Sequence, residues 1–164
     1  ITPNIENAHM LIRRAWGSWM RVTSLKAWEV PQENANVIIR QKYIDGGGPI
    51  LAQAHVGPPQ GYVLELDIDA GHSWNATRLQ GAVCHEIGHL LGLRDHTSGD
   101  GHLMSAIIRE GIVDPSPEDV RRALNLGHLG PPPDRTSAPG QVEILPSDPE
   151  ELKNLLNIWK LLNA

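Results

Sequence analysis

The chain has 164 residues, 40% apolar and 20% charged, with a formal net charge of -5. That is the composition of one folded domain with a core, not of a disordered or fibrous chain. No basic block and no apolar run near the roughly 18 residues of a membrane span is present, so neither nucleic acid nor a bilayer is the expected partner, and the single cysteine excludes an internal disulfide framework and a multi-cysteine zinc site.

Ile5, Ala8, Leu11, Ile12, Ala15, Trp16 and Trp19 follow one face of an α-helix over residues 5–20 that starts near Pro3 or Asn4. Residues 25–30 and 36–40 read as short strands, separated by a turn that contains Pro31 and Asn34. The run Asp45-Gly46-Gly47-Gly48-Pro49 breaks the pattern, and strands follow at 50–55 and 62–68. In the second of these, Leu64, Leu66 and Ile68 alternate with Val63, Glu65 and Asp67. Thr77 and Gln80 fit a capping box for a helix that runs to Gly92, with Leu79, Val83, Ile87 and Leu90 as its buried stripe. A closing helix is expected from Pro117 to Leu126, capped by Ser116 and ended by Gly127. Beyond it the reading is a catalytic unit over 1–128, a proline-rich linker over 129–146 and a C-terminal amphipathic helix over 147–164. The order of elements predicts an α+β fold.

The chemistry concentrates in His85-Glu86-Ile87-Gly88-His89-Leu90-Leu91-Gly92-Leu93-Arg94-Asp95-His96. Positions i and i+4 of a helix share a face about 6 Å apart along the axis, so His85 and His89 can aim at one metal ion. Glu86, one step round, can reach a water on that ion without being a ligand. Gly92 lets the chain leave the helix in a left-handed conformation and turn back. Asp95 then meets the metal as third ligand. Three protein ligands and one open position make a catalytic rather than a structural zinc site. The adjacent His96 is the alternative third ligand. Met104 follows nine residues past Asp95. Cys84, about 100° round the helix from His85, reads as a small buried residue.

This long motif followed by a methionine resembles the metzincin clan of zinc endopeptidases, in which a methionine in a tight turn packs beneath the metal. Residues 5–127 resemble the matrixin catalytic domain, with Leu51-Ala52-Gln53-Ala54-His55 similar to its upper-rim strand. Gly-Leu-x-Asp-His is similar to the snapalysin motif, in which aspartate is the ligand. The resemblance implies a small mixed twisted sheet, an active-site helix and a closing helix below the cleft. Gln53 and Glu65 stand where matrixins carry histidines of a structural zinc, so the resemblance does not extend to a second zinc. Asp45, Asp67 and Asp69 resemble the aspartates of the matrixin calcium segments, which implies a structural calcium. Matrixins also place a sheet strand before the opening helix. Here a segment such as Gln141–Leu145 is one candidate for that place; the alternative is that the strand is missing.

The expected function is zinc-dependent endopeptidase, with His85, His89 and Asp95 as ligands and Glu86 as general base. The partner is a protein or peptide substrate and the chain is a monomer. Because it opens on Ile1 with no leader, removal of a signal or pro-segment and a secreted setting are expected. Two rival readings are a catalytically silent zinc-binding interaction domain and an adaptor acting through a helix over 147–164.

Overall fold

The computed structural model describes residues 7–133 and the backbone of 158–162. The three helices among the described residues are α1 (Ala8–Val22), α2 (Ala76–Leu90) and α3 (Pro117–Leu124), and the strands are β1 (Lys26–Glu29), β2 (Val37–Lys42), β3 (Ala52–Ala54), β4 (Leu64–Asp69) and β5 (Ile158–Leu162). They form an α+β fold around one mixed sheet of order β1-β5-β2-β4-β3. The expected start of α1 near Pro3 lies outside the described residues.

The apolar period of α1 does what the sequence implies. Ala8, Leu11, Ile12, Ala15, Trp16 and Trp19 are all buried. A fully buried tryptophan is worth about 3–5 kcal/mol against alanine, so Trp16 and Trp19 anchor the helix. Trp19 Nε1 also donates to the Cys84 carbonyl at 2.9 Å, which ties α1 to α2 at the step before His85. Cys84 itself is buried, and burial pushes its thiol up, out of the reactive range.

The sheet presents Val37, Ile39, Leu64, Leu66 and Ile68 to the core. Parallel pairing of β2 with β4 sets Ile39 opposite Leu66, and antiparallel pairing of β3 with β4 sets Gln53 opposite Asp67. Among the described residues β3 therefore ends the sheet, with no strand paired to its outer edge. The helix α2 is capped at Asn75, whose side chain accepts from the Arg78 amide at 2.8 Å, two residues before the expected cap at Thr77.

Of the C-terminal helix expected over 147–164, the structure corrects only the described part, 158–162. Ile158–Leu162 is a strand, antiparallel to β1 and β2 and lying between them. The leucine spacing there also suits a helix, but unpaired amides and carbonyls on the flanking strands offer main-chain partners that a helix cannot use. Residues 134–157, with most of the expected linker and the candidate strand Gln141–Leu145, lie outside the described residues. The adaptor reading loses the helical stripe it needed at 158–162.

Cutting the chain after residue 133 strips β1 of its described ladder partner. Six residue pairs of β5 with its neighbours disappear, four with β1 and two with β2. At about 1 kcal/mol for each hydrogen bond lost, the melting temperature falls by at least about 5 °C. Thermal unfolding of the truncated and full chains checks this, and equal melting temperatures contradict it.

Candidate metal centre

His85, Glu86 and His89 sit on α2 where it borders a cleft of about 610 Å³. The segment Ile50–Ala54 forms one wall and Ala106–Ile108 the other. Each helical histidine is oriented by a main-chain carbonyl. His85 Nδ1 lies 2.7 Å from the Leu103 carbonyl, and His89 Nδ1 lies 2.6 Å from the Leu93 carbonyl. A carbonyl only accepts, so both Nδ1 atoms carry the proton and both Nε2 lone pairs are left for a metal. Burial pushes His85 down to about 4, against the opposing pull of its Leu103 hydrogen bond. Burial lowers His89 too. Both rings are thus neutral, the state a metal ligand requires.

The third member is His96. Ligand atoms of His85, His89 and His96 all lie within 4.8 Å of one another, with ring centroids 4.9 to 5.3 Å apart. Asp95, the expected third ligand, is not in this group: it lines a separate cavity with Arg121 and Arg122, whereas His96 lines the cleft. The physical reason is the path of the chain after α2. Gly92 takes φ +110° and turns the chain back, then Leu93 and Thr97 are buried anchors on either side of the exposed Arg94, Asp95 and His96. Arg122 Nη2 donates to the Asp95 carbonyl at 2.5 Å, which holds the main chain at that residue against α3. Three imidazoles with open access suit zinc.

Glu86 is 5% exposed. Burial pushes its carboxyl up to about 8, with the Ala54 amide of β3 pulling the other way. A dication beside it favours the ionised form. Met104 is fully buried under the helix. Its sulfur and methyl group fill the space that a Cβ on Gly88 would need, so the glycine between the two helical histidines is what lets the methionine approach.

Asp119, which the sequence reading did not single out, organises the arm that carries His96. It is fully buried and accepts from Thr97 Oγ1 (2.8 Å), the Leu103 amide (2.9 Å), the Met104 amide (3.4 Å) and both the amide and hydroxyl of Ser116 (2.9 and 2.8 Å). The Ser116 and Asp119 bonds also make the capping box of α3. Burial alone raises this carboxyl, but its hydrogen bonds from Ser116, Thr97 and Leu103 together hold it below the usual range. Asp119→Asn costs about 2–3 kcal/mol, the scale of a charged hydrogen-bonded group. Because the folded pKa is depressed, that stability is full above pH ~4 and is lost as pH falls through the folded value. Denaturant unfolding of both proteins at neutral and acid pH checks this: the gap between them narrows on acidification.

The residues at the two structural-zinc positions form a charged network instead. Arg40 donates to Asp67 at 2.7 Å and to Glu65 at 2.5 Å, and Lys42 and Gln53 each reach Asp67 at 3.4 Å. Asp67 is thereby separated from the expected calcium set. Asp45 and Asp69 are joined by His72. Their carboxylates already cap backbone amides of Ile44, Gly47, Gly48, Ile50 and Gly71. Calcium takes six to eight oxygens, so a trio containing an imidazole, with its oxygens engaged, fits it poorly.

Fold and site together define a helix-borne histidine centre in a peptide-sized cleft. The sequence model of the matrixin peptidases matches residues 2–126, and the chain belongs to that family. No curated protein matches the chain.

Proposed function

We propose that the protein is a zinc endopeptidase in which His85, His89 and His96 hold the ion and Glu86 moves the proton. The observation that carries this reading is the convergence of three imidazoles and one buried carboxylate on the floor of an open cleft. When bound, the ion polarises the scissile carbonyl and acidifies the attacking water. Glu86 accepts that water's proton and returns it to the departing amine. The Ala54 amide beside Glu86 holds the base against the substrate-binding strand. The outer edge of β3, which borders the cleft and has no strand paired to it among the described residues, supplies main-chain groups to an extended peptide by strand addition.

The purified protein, incubated with an unfolded protein substrate, is expected to produce fragments. Those fragments vanish with a zinc chelator and return when zinc is restored. Bound zinc with no fragments under any of these conditions indicates a silent zinc-binding interaction domain and overturns the proposal.

A further inference from the structure

Among the described residues that line the cleft, only two side chains other than histidine are charged, Glu86 and Arg94. Glu86 is buried and committed to the proton. Arg94 is exposed, and its guanidinium has no hydrogen bond or ion pair with another described residue. It also lines a second cavity of about 330 Å³ with Asp95, Arg121 and Arg122, so the two hollows share it as a wall. Arg121 is matched by Glu118 through bonds of 2.8 and 2.5 Å. Arg122 spends its described bonds on the neutral oxygens of Thr97 and Asp95, both at 2.5 Å. Three arginines and one carboxylate, Asp95, line the second cavity, and Glu118 offsets Arg121. The rim is locally positive on a chain whose net charge is -5.

An extended peptide crossing the histidines toward this side meets, at the cleft wall, a guanidinium that has no partner among the described residues. Arginine presents a planar fork of donors that matches a carboxylate, and the pair is stronger than a neutral hydrogen bond. We propose that Arg94 makes the cleft selective for a substrate carboxylate, supplied by a glutamate or aspartate side chain of the peptide on the side of the scissile bond that passes Arg94. This inference rests on the endopeptidase reading above and adds the substrate class to it.

The test uses the full zinc-loaded chain and blocked peptides, acetylated and amidated, in which glutamate, glutamine or lysine replaces each residue flanking the cleaved bond in turn. At one position glutamate exceeds glutamine in kcat/KM by about fivefold, the upper range for a partly exposed ion pair. The advantage shrinks as salt is raised. In Arg94→Gln the ratio falls to about one, in Arg94→Glu it inverts in favour of lysine, and in Arg94→Lys most of it survives. Both peptides are measured on the same sample, so any loss of folded protein cancels from the ratio. A second peptide set, with a free terminal carboxylate and no acidic side chain, separates the two sources. A preference confined to that set shows that the side-chain assignment is wrong. Equal rates for glutamate and glutamine at every position, or a preference that persists in Arg94→Gln, overturn the inference while leaving the endopeptidase reading intact. If no peptide is cleaved, the endopeptidase reading itself fails.

Discussion

Glu86→Gln lowers peptide cleavage by roughly 10²–10⁴-fold, the usual scale for removing a positioned general base, and leaves bound zinc unchanged. The amide has nearly the shape of the carboxylate and can still accept from the Ala54 amide, but it cannot take a proton from water. Unfolding does not account for the loss. Burial already disfavours ionised Glu86 in the metal-free protein, pushing its carboxyl up to about 8. With the folded value above the unfolded one, the protonated carboxyl is best tolerated at low pH, and stability is lost as pH rises toward the folded value. Glutamine avoids that cost, so the metal-free variant melts no lower than the parent at neutral pH. Turnover, zinc content and melting temperature on one preparation check the set. Cleavage at the parent rate removes Glu86 from the mechanism.

His96→Ala and Asp95→Ala separate two neighbours that line different cavities. Losing an imidazole from a set of three weakens zinc by more than about 100-fold, beyond the 10- to 100-fold that supporting residues cost. The same substitution at Asp95 changes zinc affinity by less than about tenfold, since its side chain lines the other cavity and its carbonyl, the group Arg122 grips, is retained. Competition with a zinc-binding dye measures both. Zinc kept in His96→Ala and lost in Asp95→Ala restores the aspartate as ligand.

Much of this was legible in the sequence because it is written in local periods. The helical stripe from Ala8 to Trp19, the alternation in Leu64–Ile68 and the i, i+4 spacing of His85 and His89 each depend on residues a few positions apart. What was not legible depends on where the chain travels afterwards. The choice between Asp95 and His96 is made by the turn at Gly92 and by the anchoring of Leu93 and Thr97, which set the side on which each neighbour emerges. Asp119 carried a signal, its place three residues after Ser116, but that signal shows only a helix cap. Its bonds to Thr97 and Leu103 span 22 and 16 residues. His72 lies only three residues after Asp69, but it takes folding to bring that pair to Asp45. The strand at 158–162 shows tertiary pairing overriding a helical period, since the slot between β1 and β2 lies more than 100 residues back in the chain.

In the proposed function, one zinc ion held by this cleft, with Glu86, cleaves peptide bonds. Titrating the metal-free protein with zinc, and reading bound metal and peptide cleavage on the same samples, tests it most directly. Cleavage is expected to rise in step with bound zinc and to level off at one equivalent per chain. Glu86→Gln takes up the same equivalent with cleavage reduced by about 10²–10⁴-fold. Cleavage that proceeds before zinc is added, or zinc that fills the site in the parent without producing cleavage, contradicts it.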